Sequence, residues 1–207
     1  MPRDAESRTF IDRARRAQII TAAIDTIAEL GYGQASLTRI AQRAGTSKGV
    51  VTYHFTGKNE IIQEVIAEVI ARGTEYMTAR IMAETTGVDM LRAYIESNLA
   101  YMRDNRNHLL AVVEIAVNAR NEDGSRSFDD SVLDGGLAAL QRLIAGFQST
   151  GEFRSDFSAH VMAVTIRGAI DAVPPRLARD TFDIDSFARE MAAIFVQAVR
   201  AEPEGKS

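Results

Sequence analysis

Apolar residues recur at intervals of three and four along almost the whole chain, and no stretch shows the two-residue alternation typical of a strand. One face of the first such segment is formed by Ile20, Ile24, Ile27 and Leu30. Each of these faces has to be buried against another helix. The sequence therefore predicts an all-α protein of about nine or ten helices.

Composition removes several classes of function. The 207 residues include no cysteine, which excludes disulfide frameworks, thiol nucleophiles and thiolate metal sites. The three histidines, His54, His108 and His160, are far apart in sequence and lack the spacing of metal ligands. We therefore expect no metal and no cofactor.

Apolar runs in the chain are too short for a membrane span. None approaches the roughly 20 residues that cross a bilayer, and residues 1–16 lack the apolar middle of a secretory signal. We therefore expect a cytoplasmic protein without membrane contact.

Charge is distributed unevenly. Residues 1–58 carry nine Lys/Arg against five Asp/Glu, whereas residues 59–207 carry fifteen against twenty-three. A basic segment on an otherwise acidic protein indicates that one part alone contacts a polyanion, because the acidic part would repel nucleic acid.

Two short helices are predicted after the first long one. The long helix should end near Gly31, because Gly31 and Gly33 supply the left-handed residues that stop a helix. Gly45 then separates short helices over residues 37–44 and 47–54. A tight glycine turn between helices of this length is typical of a helix-turn-helix.

The second short helix has the composition of a DNA-reading helix. Val51 and Phe55 lie four residues apart and should pack inward, which leaves polar side chains on the other face. Small residues at its start can approach base edges in the major groove, and the tyrosine and histidine at its end suit phosphate oxygens. The predicted DNA-contacting residues, including the capping Ser36 and the lysine of the next helix, are Ser36, Thr46, Ser47, Lys48, Gly49, Thr52, Tyr53, His54 and Lys58.

Residues 36–62, SLTRIAQRAGTSKGVVTYHFTGKNEII, resemble the DNA-binding signature of the TetR family of transcriptional repressors. The shared elements are a helix ending in IAxxAG, then SKG, an aromatic-rich end closing in HF, and a lysine that opens the next helix. The resemblance covers about residues 13–62. It implies an all-helical homodimer, with an N-terminal three-helix DNA-binding domain and a larger C-terminal helical domain for effector binding and dimerisation.

One position departs from the common signature. Most members of the family carry a tyrosine where this chain has Thr52. A small hydroxyl residue at this position resembles the subgroup of the choline and glycine betaine regulator. Tyr53 and His54 would then supply more of the phosphate anchoring.

The resemblance also implies the organisation and the activity of the whole chain. Residues 1–58 would bind DNA, and residues 59–207 would bind the effector and dimerise. The implied function is a transcriptional regulator, most simply a repressor that a small-molecule effector releases from a palindromic operator. The sequence leaves open whether binding represses or activates.

Candidate effector-binding residues are those that are too polar or too adaptable for a plain core, although methionines and aromatic residues at helical spacing more often belong to a core. Glu114 stands out, because a carboxylate in an apolar helix is costly unless it is paired. With Tyr94 or Tyr101 nearby it could receive a cation. We therefore hypothesise a cationic or amphipathic effector bound among Met77, Tyr94, Asn98, Tyr101, Met102, Glu114 and Phe147.

The last two helices, predicted over about residues 158–173 and 186–201, form the dimer interface by resemblance. Small side chains there would let helices of two copies approach closely. Asp183 or Asp185 should cap the last helix. The interface candidates are Ala163, Arg167, Gly168 and Asp171, of which Arg167 and Asp171 are spaced for an ion pair.

Two other classes of protein compete with a DNA-binding regulator. An enzyme is not expected, because the chain contains no GxSxG, Walker or HExxH motif and its one GxG follows a helix. A helical adaptor that binds only protein remains an alternative. It would leave the basic N-terminal segment unexplained.

Overall fold

The structure, a computed structural model, describes residues 3–120, 131–178 and 182–201. Within these ranges the predicted all-α fold is confirmed, and an isolated bridge pairs Phe153 with Arg200. The α-helices are α1 (Arg3–Leu30), α2 (Leu37–Arg43), α3 (Lys48–His54), α4 (Lys58–Ile81), α5 (Gly87–Asp104), α6 (Arg106–Asn118), α7 (Ser131–Ser149), α8 (Ala159–Asp171) and α9 (Ile184–Val199), with 3-10 turns at Tyr32–Gln34 and Pro174–Ala178. The loop expected at residues 121–127 lies outside the described residues.

Within the same ranges, no helix is both long enough and apolar enough to cross a bilayer.

Helix starts follow the capping residues of the sequence. The Ser36 side chain accepts from the Arg39 amide at the start of α2. Of the two aspartates proposed as caps for the last helix, Asp183 accepts from the Ser186 amide at 3.0 Å, so that α9 begins at Ile184. A short polar side chain before each of these two helices satisfies an amide that would otherwise lack a partner.

Two of the three glycines predicted to stop helices do so. Gly31 and Gly45 have φ values of 80° and 62°, as their predicted helix-stopping role requires. Gly33 does not share this role, and the prediction for it was wrong, because it lies inside the 3-10 turn Tyr32–Gln34 without a positive φ. The single residue Gly31 is sufficient to end α1.

The helices form two compact units, each with its own apolar core. The first unit holds residues 3–72 and 105–120, and therefore α1–α3, the first part of α4, and α6. The second holds residues 73–104 and the described residues between 131 and 201. The first unit is larger than the 1–58 segment that the sequence assigns to DNA binding, and that functional boundary remains a proposal.

Within the second unit, α5 packs against α9 and α8, and α7 packs against α8. Gly87, the first residue of α5, lies directly against an aromatic ring. A Cβ at this position would lie 2.4 Å from Cγ of Phe147, whose ring is also 5.5 Å from that of Phe153. Phe147 therefore fills space that the absence of a side chain at residue 87 leaves open.

Candidate nucleic-acid interface

α2 and α3 are joined by a short turn that local hydrogen bonds close. The Gly45 amide donates to the Gln42 carbonyl at 3.2 Å, and the Thr46 amide donates to the Ala41 carbonyl at 2.9 Å. These bonds satisfy the last carbonyls of α2, and the positive φ of Gly45 turns the chain toward α3. The two short helices are therefore held as a helix-turn-helix, as the sequence predicted.

α3 is anchored by an apolar face and presents a polar one. Val51 is fully buried and Phe55, immediately after the helix, is 1% exposed. The His54 ring is half-buried and meets the Tyr53 ring edge-on, with centroids 5.0 Å apart. The exposed residues of this helix are Lys48, Gly49, Thr52 and Tyr53, with Tyr53 as much as 79% exposed.

Several hydroxyl groups among the predicted DNA contacts already have partners within the chain. Ser36 and Ser47 cap α2 and α3. The Thr52 hydroxyl lies 3.1 Å from the carbonyls of both Lys48 and Gly49 and can donate to either. These groups stabilise the helices that carry them, and their contact with DNA stays a prediction.

Lys58 is held inside the first unit. Its ammonium group donates to the Tyr32 carbonyl and lies 3.9 Å from the centroid of the Tyr32 ring. Burial lowers the pKa of this half-buried lysine. Lys58, at the start of α4, therefore packs against the turn that precedes α2, and a phosphate contact would compete with these interactions.

Sequence reasoning missed Arg16, which lies on α1 and meets the end of α3. Its guanidinium donates to the His54 carbonyl and lies 4.3 Å from the centroid of the Phe55 ring. It also contacts the carboxylates of Glu60 at 3.2 Å and Glu64 at 3.0 Å. No local pattern could have identified this residue, because its partners are 38 to 48 positions away.

A groove of about 450 Å³ lies in the first unit and contains two further arginines. Arg39 bonds to Gln34, and Arg43 forms an ion pair with Glu29. None of the predicted effector residues lines this groove, which is formed by Thr26, Leu30, Arg39, Gln42 and Arg43.

Six of the predicted effector residues, Met77, Tyr94, Asn98, Tyr101, Met102 and Phe147, belong to the second unit. Tyr94 and Asn98 are buried, and the Asn98 amide donates to the Tyr94 carbonyl at 2.8 Å. The Tyr101 ring is 5.5 Å from that of Tyr76. Met102 and Phe147 pack against the core of this unit. Tyr94, Asn98, Tyr101, Met102 and Phe147 therefore have partners within the unit, and the effector role of all six residues stays a prediction.

The seventh candidate, Glu114, belongs to the first unit. It lies on α6, where its carboxylate accepts from the Tyr32 backbone amide at 3.0 Å and from the Asn118 side-chain amide at 3.1 Å. The structure therefore does not gather all seven candidates in one unit, and the carboxylate has donors within its own unit.

The dimer candidates divide between the interior and the surface of the second unit. Ala163 is fully buried, whereas Gly168 is exposed. Arg167 donates from Nε to Asp171 at 3.0 Å, the ion pair that the four-residue spacing predicted. Surface apolar residues that the sequence analysis did not single out are Val161 and Val164 on α8 and Ile194 on α9, with exposures of 60%, 45% and 67%.

Comparison with known proteins gives matches to both parts of the chain. The family model described as bacterial regulatory proteins, tetR family, matches residues 19–65, which include α2, α3 and their turn. The Fatty acid metabolism regulator protein of Bacillus subtilis (strain 168) is 26% identical over 159 residues, covering 77% of this chain and 81% of that protein. The HTH-type transcriptional regulator BetI 1 of Chromohalobacter salexigens is 24% identical over 187 residues, covering 88% and 89%.

A solved structure extends the likeness to the fold of nearly the whole chain. The crystal structure of the transcriptional regulator FadR from Bacillus subtilis in complex with stearoyl-CoA is similar with a TM-score of 0.77. The two chains are 22% identical, and the match covers 89% of this chain and 99% of the other. At this level of identity the likeness concerns the fold.

Proposed function

The chain belongs to the TetR family of bacterial transcriptional regulators and is not an enzyme, and on this premise we propose that it is a homodimeric repressor of the cytoplasm. In this proposal α3 reads a palindromic operator, and an amphipathic small molecule releases the protein from it. Such a release requires that the effector bind the DNA-free form more tightly than the DNA-bound form.

The observation that carries the DNA-binding part is the outer face of α3. The helix is buried along Val51 and followed by the buried Phe55, yet Lys48 is exposed and Tyr53 exposes 79% of its surface. A cation and a hydrogen-bonding aromatic held outward on an anchored helix suit base edges and phosphate oxygens.

Dimerisation is supported by the surface of the second unit. Val161, Val164 and Gly168 are spaced by three and four residues and lie exposed along one stripe of α8. Exposed valines beside a glycine suit close packing against a second helix. A two-fold dimer would present two copies of α3 to the two halves of a palindrome.

An amphipathic effector is favoured over a cationic one. One similar protein is a fatty acid metabolism regulator, and a similar fold was solved with stearoyl-CoA. In the second unit, the Arg167 guanidinium donates to buried Asn98 at 3.1 Å and is paired with Asp171 at the surface. A guanidinium at the margin of an apolar core suits an anionic head group, which would take the place of the Asp171 carboxylate. The cationic hypothesis rests on Glu114, whose carboxylate accepts from Tyr32 and Asn118.

Selection of duplexes from a random-sequence DNA pool tests the proposal. We expect the protein to enrich a palindrome, and Lys48→Ala and Tyr53→Ala each to weaken binding of that operator about tenfold, or roughly 1.4 kcal/mol. Lys48→Ala should also reduce the salt slope by about one if the lysine contacts a phosphate. Gln63→Ala, at an exposed position of α4, is the matched control.

Three outcomes would count against parts of the proposal. If no duplex is enriched, the adaptor alternative takes its place. If an operator is bound but stearoyl-CoA does not release it while choline does, the effector is cationic. If the two α3 variants bind as tightly as the Gln63→Ala control, another surface reads the DNA.

Arg16→Ala is expected to weaken operator binding about fivefold without changing the salt slope, because Arg16 holds the end of α3 rather than a phosphate. Arg16→Lys should restore only part of the affinity, since an ammonium lacks the planar fork that reaches three oxygen acceptors. Arg72→Ala, which removes an exposed pair with Glu68, is the control. A reduced salt slope for Arg16→Ala would instead identify a direct phosphate contact.

A further inference from the structure

α6 is an integral part of the first unit, although the whole of α5 separates it in sequence from α1–α4. Ala111, Ile115 and Ala119 are all at most 1% exposed and belong to the same core as the helix-turn-helix. α6 packs against α1 and against the 3-10 turn Tyr32–Gln34. α6, which lies outside the DNA-binding signature, therefore packs with the helix-turn-helix and supports it.

The contact between α6 and the 3-10 turn is polar and specific. Gly31 precedes the turn and has no side chain with which to cap it, so that no side-chain bond comes from the capping position itself. The Tyr32 amide donates instead to Glu114, 82 residues further along the chain, at 3.0 Å. Glu114 thus supplies from α6 the acceptor that a local capping residue supplies elsewhere.

The turn is built around this carboxylate. A Cβ at Gly31 would lie 3.2 Å from Oε2 of Glu114, and the φ of Gly31 is 80°. A side chain there would be strained by the backbone and crowded by the acceptor. The Asn118 amide donates to the same oxygen at 3.1 Å from within α6.

The other side of Tyr32 connects the turn to α4. Its carbonyl accepts from Lys58, the first residue of α4, and its ring lies under the same ammonium group. Hydrogen bonds therefore run from α6 through Tyr32 to the start of α4. The turn held by these hydrogen bonds leads into α2. Residues 55–57 alone separate Lys58 from the end of α3.

We infer that Glu114 is a positioning residue for DNA binding: its carboxylate fixes Tyr32, and with it the entrance to α2 and the start of α4. The inference rests on the proposed function in that it assumes an operator. The inference goes beyond the proposed function, because it makes operator affinity depend on a residue of α6 that touches no DNA. Removing the acceptor leaves the Tyr32 amide without its partner and frees the turn to move.

The test uses the full-length protein and the duplex that the wild type enriches from a random pool. We expect Glu114→Ala to weaken operator binding about fivefold, with an unchanged salt slope, and to speed hydrogen exchange of the Tyr32 amide selectively. Glu114→Gln keeps a side-chain oxygen as acceptor. It should restore most of the operator affinity and most of the protection of the Tyr32 amide from exchange. Asn118→Ala, which leaves the Tyr32 bond in place, should stay within about twofold of the wild type.

A second variant separates positioning from general loss of stability. Ile166→Val destabilises the core of the second unit. At a loss of unfolding free energy similar to that of Glu114→Ala, it should leave operator affinity unchanged. The inference is overturned if Glu114→Ala binds the operator as the wild type does while Tyr32 exchanges faster, or if Ile166→Val loses as much affinity. Failure of the wild type to enrich any duplex would instead overturn the proposed function, and the Tyr32 exchange would still report on the contact itself.

Discussion

Ile194→Asp is expected to raise the dissociation constant of the dimer by at least about a hundredfold and to remove tight operator binding. Ile194 lies on α9, one of the two helices assigned to the interface, and 67% of its surface is exposed in the single chain. Two-fold symmetry buries the substitution twice, and a carboxylate without a partner in a dimer interface is strongly destabilising. Sedimentation velocity across a protein dilution series measures the dissociation constant.

Met82→Asp is the matched control for this prediction. Met82 follows α4 in the second unit and is 69% exposed, so that the same change is made at a similarly exposed apolar residue outside the assigned interface. The control should stay dimeric. An Ile194→Asp protein with unchanged assembly would show that this part of α9 does not meet a second copy.

Gly87→Ala is expected to reduce the free energy of unfolding by about 2 kcal/mol, because the new methyl group would overlap the ring of Phe147. The distance of 2.4 Å to Cγ concerns the inner end of the ring, which cannot move without displacing the rest of the side chain. The gain of up to about 1 kcal/mol that alanine brings to a helix offsets only part of this overlap. Thermal and urea unfolding measure the change, and a fall in the melting temperature of roughly 4–8 °C corresponds to it.

Two further variants identify the cause. Gly146→Ala changes an exposed glycine in α7 whose added Cβ would meet open space, and it should stabilise slightly. In a Phe147→Ala background, Gly87→Ala should no longer destabilise, because the overlapping ring is gone. If Gly87→Ala is equally harmful in both backgrounds, the overlap with Phe147 is not the reason for the loss of stability.

Most of the fold could be predicted from short-range patterns. The buried positions Val51 and Phe55, the cap at Ser36 and the stop at Gly45 all depend on residues within about four positions of one another. Helical periodicity, capping and positive φ are local properties, and local sequence is sufficient to specify them. Gly33 shows the limit of this reasoning, because whether a glycine stops a helix depends on the turn that follows it.

The outward face of α3 could be predicted for the same reason. Once Val51 is assigned to the core, helix geometry turns Thr52 and Tyr53 toward the surface, where the structure has them. The internal partners of Lys58 were not foreseen. Its predicted phosphate contact has to compete with a carbonyl and an aromatic ring that come from a turn 26 residues earlier.

Short-range sequence patterns were therefore enough to establish an all-helical protein, the helix-turn-helix and the residues that face outward from it. Packing was needed to place Arg16 on the end of α3, Glu114 under the turn at Tyr32, and Phe147 over Gly87. These partners are 38, 82 and 60 positions apart, so no periodicity or capping motif relates them. A side chain that can pair with many distant groups acquires one partner only when the helices have packed, because packing alone brings donor and acceptor within reach.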